Sequence, residues 1–224
     1  MTERPTLTTL AAPPLGGRTE RPIAIGGISV PDSKLAREIA ELVRDTESPL
    51  LFHHSSRVFY WGALTGVRRG LTVDAELLYA GAMFHDMGLT YRHSSANERF
   101  EVDGANAARD FLRGHGISKQ DIDTVWTAIA LHTTPGVPQH MHPVIALVTA
   151  GVEMDVLGIA YSEFRDAERE RWCRRIRAAA ASRKTSSRPS TTASGTSRTL
   201  PSATSRPTCS PTRTRISRLL ISAA

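Results

Sequence analysis

The sequence contains few cysteines and has no long uninterrupted apolar run. Its two cysteines, Cys173 and Cys209, do not form a CxxC spacing, so we expect neither a disulfide framework nor a cysteine-based zinc site. The longest apolar run, residues 144–161, is interrupted by Glu153 and Asp155, and no basic segment followed by an apolar one opens the chain. We therefore expect a protein of the reducing cytoplasm that is neither secreted nor membrane-spanning.

Acidic residues are missing from one end of the chain. The 224 residues include 28 Lys and Arg against 22 Asp and Glu, a net charge of +6. Residues 182–224 carry eight of the basic side chains and no acidic one, which leaves 20 basic against 22 acidic in residues 1–181. The body of the protein is therefore slightly acidic. A basic excess confined to one segment does not by itself indicate nucleic-acid binding, and we expect no nucleic-acid or membrane partner.

The composition divides the chain into three segments. Residues 1–30 are rich in Pro and Gly and predict an extended arm. Residues 31–181 show apolar residues three or four apart and predict an all-α domain. In residues 182–224, Ser and Thr supply 20 positions and Pro four more, so no core can form there. This tail fits two interpretations equally, a native disordered segment or the out-of-frame reading of a GC-rich gene.

Helix start and stop signals divide the central segment into six or seven helices. Typical N-caps are Asp32 or Ser33 for the first helix and Ser48, Asp74 and Ser118 for later ones, and Pro49 and Pro143 suit a first helical turn. The predicted helices begin near Ser33, Ser48, Asp74, Glu101, Ser118, Pro143 and Ser162, and they end near Arg44, Thr65, His85, Arg113, His132, Leu157 and Ala181.

Histidines and aspartates in apolar surroundings are the main chemical signal. His85 and Asp86 follow Ala80–Phe84 at the end of a buried-looking helix, and Asp155 lies among Val152, Met154 and Val156. Buried carboxylates are costly unless a partner or a metal compensates their charge. Together with His54 and His132, these residues predict a divalent-metal site between converging helices. His93, His115 and His140, taken singly, are more typical of surface or cap positions.

Two sets of motifs follow one another in order along the chain. The first set is His54-Ser55-x-Arg57-Val58, Phe84-His85-Asp86-Met87-Gly88-Leu89-Thr90 and Asp155. The second set is Arg99 to Ala108, Trp126 to Thr134 and Asp155-Val156-Leu157-Gly158. The first set resembles the HD-domain superfamily of metal-dependent hydrolases, whose pattern is a histidine, a His-Asp pair and a distant aspartate, and the second is similar to the cyanamide hydratase branch of that superfamily. The resemblance runs from about Ile28 to Arg169 and lapses near Arg174, close to the unusual tail.

The resemblance implies a role for each matching residue. It makes metal ligands of His54, His85, Asp86 and Asp155, and it places His132 either beside substrate and metal or in a structural position. Glu101 and Asp103 either orient a ligand, hold substrate or cap a helix, whereas Arg57 either pairs with a ligand carboxylate or faces substrate. His53 points about 100° away from His54 and is expected either to pack or to support the metal ligands from behind. The implied metal is zinc, with iron or manganese also suited to imidazole and carboxylate donors.

The implied reaction is attack by metal-activated water on a small substrate. In the cyanamide hydratase branch, hydroxide adds to the carbon of a nitrile-like molecule, and a nearby acid such as His132 protonates the nitrogen. The alternative is a phosphohydrolase acting on a nucleotide or phosphate ester, which needs cationic groups or a second metal. A non-catalytic binding module is a third possibility. The expected partner is a small molecule, and self-association into a homo-oligomer is left open.

Overall fold

A computed structural model describes residues 24–25, 28–164, 166–167 and 170. The described residues up to Tyr161 belong to one compact unit, which contains the six α-helices and the candidate site, and the described residues after it belong to a second. The predicted tail, most of the predicted arm and most of the predicted seventh helix lie outside the described residues. Among the described residues, no helix is long and apolar enough to cross a membrane.

The described residues form an all-α fold, as predicted. Side-chain caps define four of the helix starts, since Ser33, Ser48, Asp74 and Ser118 each accept a hydrogen bond from a backbone N–H two or three residues ahead. The six α-helices are α1 Lys34–Thr46, α2 Pro49–Arg68, α3 Ala75–Phe84, α4 Phe100–Gly114, α5 Lys119–Ala130 and α6 Pro143–Val152. Short 3-10 turns cover Met87–Leu89, Pro138–His140 and Tyr161–Glu163.

The helices α2, α3 and α6 form the centre of the core. Every residue of α3 is buried, and so are twelve residues of α2 and eight of α6. The helices α2 and α6 pack closely, because a side chain at Gly151 would collide with the carbonyl group of Val58. Glycine is therefore required at this helix crossing, and the close packing fixes the end of α6 beside the middle of α2.

Three local features differ from the sequence-based expectation. A two-stranded antiparallel hairpin, β1 Ala24–Ile25 and β2 Ile28–Ser29, lies within the predicted arm, and the Ile28 side chain is buried. The helix α2 continues to Arg68 rather than Thr65, since the chain reverses only at Gly70, where φ is +64°. After α6, Glu153–Leu157 form a π-helical turn that ends at Gly158 with φ +70°.

Candidate metal centre

His54 lies near the middle of α2 with no exposed surface. Its Nδ1 is 2.7 Å from an Oδ2 oxygen of Asp155, and its Nε2 is 3.1 Å from Nε2 of His85. Because a carboxylate only accepts hydrogen bonds, Nδ1 of His54 carries the proton and Nε2 presents a lone pair. The neighbouring His53 is half-buried with its ring edge against Phe52, in agreement with a packing role.

His85 and Asp86 follow the last residue of α3, where the chain passes from α-helix into the 3-10 turn Met87–Leu89. Nδ1 of His85 is 2.8 Å from the carbonyl oxygen of Ala82, to which it donates, so in the neutral imidazole Nε2 of His85 presents a lone pair. The turn is pressed against the start of α4, because a side chain at Gly88 would collide with the Phe100 carbonyl. This contact holds both residues at a defined position.

The side chains of His54, His85 and Asp86 form a buried three-residue cluster, the only one among the described residues whose ligand atoms all lie within 4.8 Å of one another. An Oδ2 oxygen of Asp86 lies 3.6 Å from Nε2 of His54 and 3.4 Å from Nε2 of His85. Neither carboxylate oxygen of Asp86 has a hydrogen-bond partner among the described residues, although both are buried. Two imidazole nitrogens and a carboxylate without hydrogen-bond partners thus lie close together. This set of donor atoms fits a divalent ion.

Electrostatics within the cluster are consistent with a site for a cation. Burial disfavours protonated His85, but the adjacent Asp86 outweighs it and raises the pKa of His85 above its ordinary value. Burial likewise disfavours the charged form of Asp86, yet His85, with His54 and His132, holds the pKa of that carboxyl well below its usual range. A metal ion would take the place of the proton on His85, since metal ligands bind in their deprotonated forms.

Asp155 lies on the π-helical turn, on the other side of the His54 ring from the cluster. Its oxygens accept hydrogen bonds from Arg57 at 2.6 and 2.8 Å, from Nδ1 of His54 and from Nε1 of Trp61 at 3.3 Å. Burial opposes its charge, but the bonds from His54 and Arg57 hold the pKa of Asp155 well below its usual range. In this arrangement Asp155 orients the His54 imidazole, an interaction common around metal sites. Its predicted role as a metal ligand stays a prediction.

His132 lies just after α5, and its ring meets that of His85 edge-on with 4.9 Å between the centroids. It is buried, its Nδ1 donates to the Ile129 carbonyl at 2.6 Å, and its Nε2 is 3.8 Å from Oδ1 of Asp86. Burial and the nearby His85 lower the pKa of His132 to about 4. A neutral His132 presents an Nε2 lone pair, the form in which an imidazole accepts a proton. Its predicted role as an acid stays a prediction.

Glu101 and Asp103 bind groups of the protein at the start of α4. Glu101 is buried and accepts hydrogen bonds from Arg99 at 2.7 Å and from the Thr133 hydroxyl at 2.5 Å. Asp103 accepts from the backbone N–H of Ser95 at 2.6 Å. Glu101 therefore ties α4 to the residue next to His132, and Asp103 holds the loop before α4. The structure brings neither of them into the three-residue cluster.

Sequence reasoning missed Glu47, the C-terminal cap of α1. Its side chain is 6% exposed; Oε2 accepts a hydrogen bond from the Ser55 hydroxyl at 3.3 Å, and the buried Oε1 has no partner among the described residues. Burial raises the pKa of Glu47 to about 8. His85 lowers this pKa and Asp86 raises it, each by less than burial does. The four-residue spacing Ile39, Val43, Glu47 continues the buried face of α1 and is the signal that could have found it.

Comparison with known proteins supports the same family. The model of the family described as HD domain matches residues 51–182, a span that includes His54, His85, Asp86, His132 and Asp155. No curated protein matches the chain. The match therefore supports the superfamily but says nothing of the cyanamide hydratase branch.

Proposed function

The chain belongs to the HD domain family, and from that premise we propose that it is a metal-dependent hydrolase or hydratase with one divalent ion at the cluster of His54, His85 and Asp86. The observation that carries this proposal is the pair of buried imidazole lone pairs facing the unpartnered carboxylate of Asp86. A divalent ion bound there would supply a water whose pKa falls from about 15.7 towards ~7 and would polarise the substrate. Zinc suits these donors, and iron or manganese would also bind.

The residues around the cluster would orient its ligands and accept a proton from the attacking water. Asp155, held by Arg57, keeps the His54 imidazole with Nε2 towards the cluster. His132 presents a neutral nitrogen beside Asp86, so it would take the proton from the attacking water. Asp86 offers one oxygen towards the two histidines and the other towards His132. The attacking water would therefore be held by the ion at the cluster, and its proton would be accepted by a different residue, His132.

The charges around the cluster favour a small neutral substrate, for which we propose a nitrile-like molecule such as cyanamide, converted to urea. A phosphate ester brings roughly two negative charges. Asp86 and Asp155 already lie at or beside the cluster, and the Arg57 guanidinium is paired with both oxygens of Asp155. The Arg99 guanidinium is likewise paired with Glu101. A neutral nitrile adds no charge and needs only polarisation and a delivered hydroxide.

The test combines metal analysis with a two-substrate assay on the full chain. Purified protein loaded with zinc is given cyanamide, with urea as the measured product, and separately a panel of nucleotides. We expect urea formation to exceed hydrolysis of every nucleotide. His132→Ala should slow turnover by about 100-fold or more while the protein keeps its metal. His140→Ala, which changes an exposed histidine, is the matched control.

Two results would overturn the proposal in different ways. Efficient nucleotide hydrolysis without urea formation would assign the chain to the phosphohydrolases. Stoichiometric metal without turnover of cyanamide or any nucleotide would indicate a binding module.

A further inference from the structure

Glu47 is the buried acid of the site that the proposed mechanism has not used. The carboxyl oxygen Oε1 of Glu47 is buried and has no hydrogen-bond partner among the described residues. A buried polar atom without a partner destabilises the folded state. Such an atom is accounted for when a water, an ion or another bound molecule supplies the missing partner. Asp86, the central carboxylate of the cluster, has the same property.

The position of Glu47 connects it to the cluster. Its other oxygen, Oε2, accepts a hydrogen bond from Ser55, the residue after His54 on α2. The charged groups that act on the Glu47 carboxyl are those of His85 and Asp86. Glu47 therefore approaches the cluster from the end of α1, whereas His132 approaches it from the end of α5.

We propose that Glu47 is a proton donor of this site, with Oε1 facing the bound substrate and Ser55 holding Oε2. The inference rests on the proposed function. In the step, a bond forms between the hydroxide oxygen and the nitrile carbon, and one carbon–nitrogen π pair moves to the nitrogen. The nitrogen takes the proton from Oε1 of Glu47, the resulting carboxylate regains through solvent the proton that His132 took from the attacking water, and the isourea formed tautomerises to urea. No oxidant or reductant is needed, because water alone is added across the carbon–nitrogen bond.

The variant Glu47→Gln keeps the shape of the side chain and removes the proton that it can give. We expect it to bind metal with the wild-type stoichiometry, to lose about 100-fold or more of kcat on cyanamide and to change KM little. The alkaline limb of the kcat profile against pH should also disappear. Glu47→Asp, which retains an acid, should recover part of the rate. Glu76→Gln makes the same change at another buried glutamate, in the first turn of α3, and should stay within about twofold of wild type.

A second measurement needs no substrate. When zinc is added at pH 7 in buffers of different ionisation enthalpy, calorimetry counts the protons released. The arriving ion displaces the proton of any protonated ligand, whereas a proton donor has to keep its own proton in the loaded site. We expect wild type, Glu47→Gln and Glu76→Gln to release the same number of protons.

The two measurements separate the inference from the proposed function. Extra proton release from wild type compared with Glu47→Gln, or a Glu47→Gln kcat within about threefold of wild type with the same pH profile, would overturn the role of Glu47. Equal proton release in a protein that hydrates no nitrile would overturn the proposed substrate and keep Glu47 as a protonated group of the loaded site. A chain that binds no divalent ion would overturn both.

Discussion

Asp86 shows at the scale of one residue why the cluster needs a cation. Its carboxylate is removed from water, yet among the described residues nothing donates a hydrogen bond to either oxygen. The Nδ1 atoms of the two neighbouring histidines already donate to other groups: that of His54 to Asp155 and that of His85 to the Ala82 carbonyl. Without an ion, the charge of Asp86 is offset by the nearby histidines, His85 first, and among the described residues no hydrogen bond to either oxygen accompanies this compensation.

The first prediction concerns metal binding. His85→Ala and Asp86→Ala should each abolish stoichiometric metal binding and activity, because both residues serve the same ion from one helix end. The far-ultraviolet circular dichroism should stay that of a helical protein. Asp110→Ala, at an exposed position of α4, should keep its metal. Full metal content in both cluster variants would show that the ion, if any, binds elsewhere.

The second prediction is a pH dependence of stability that comes from Glu47. In the folded chain its carboxyl stays protonated up to about pH 8, whereas an ordinary glutamate ionises near 4.5. Between these values the folded state binds more protons than the unfolded state, so the free energy of unfolding falls as the pH rises. Between pH 5.5 and 7.5 wild type should lose about 1–2 kcal/mol more than Glu47→Gln.

Urea denaturation in the presence of a chelator, at several pH values in that window, measures this difference. The chelator keeps the charge of a bound ion out of the comparison. Parallel pH dependence in the two proteins would show that Glu47 ionises normally in the folded chain.

The sequence predicted the residues of the cluster better than their contacts. His54, His85 and Asp86 were identifiable because burying a histidine or a carboxylate in an apolar helix is costly unless a partner or a metal compensates it. Glu47 was missed, since a glutamate just before Ser48-Pro49 looks like a solvated residue between helices. The pairing of Asp155 with Arg57 and His54 depends on how α2 and the π-helical turn meet, a contact that no local pattern encodes.

At the scale of elements, helix starts followed from local chemistry and irregular segments did not. Ser33, Ser48, Asp74 and Ser118 cap their helices as predicted, because a capping hydrogen bond involves only neighbours in sequence. The hairpin at residues 24–29 was missed, since Pro- and Gly-rich sequence on its N-terminal side suggested an arm. The π-helical turn Glu153–Leu157 inserts an extra residue per turn, which a period of 3.6 does not reveal.

The third prediction tests the link between α2 and the π-helical turn. Arg57→Met keeps most of the side-chain volume but leaves buried Asp155 without its two-pronged partner. Breaking a buried pair from one side costs about 3–5 kcal/mol, because an uncompensated charge remains. Arg109→Met is the matched control, since it removes an Arg–Asp pair whose aspartate, Asp110, is exposed and should cost about 1 kcal/mol or less.

Chemical denaturation of the two variants beside wild type checks this prediction. A cost for Arg57→Met no larger than that for Arg109→Met would show that Asp155 is stabilised by His54 and Trp61 without help from the guanidinium.

At the scale of the whole molecule, the charge and the chemistry are separated along the chain. The HD family match ends at residue 182, and residues 183–224 carry eight basic side chains and no acidic one. All residues of the candidate site lie before that point. The net charge of +6 therefore describes the last segment, while the part that contains the site is slightly acidic.

The last prediction is that a chain ending at Ser182 keeps the metal content, turnover and thermal midpoint of the full chain. Residues 183–224 contain almost no large apolar side chains outside Leu200 and the final positions, so they have little surface to bury against the body. A loss of 1 kcal/mol would lower the midpoint of a chain of this size by roughly 2–4 °C, which differential scanning calorimetry resolves easily. A drop of that size would show that the segment packs on the body. A duplex-binding titration at several salt concentrations tests the other role: if only the full chain bound, with a steep loss of affinity as salt rises, the eight cations would be a nucleic-acid contact after all.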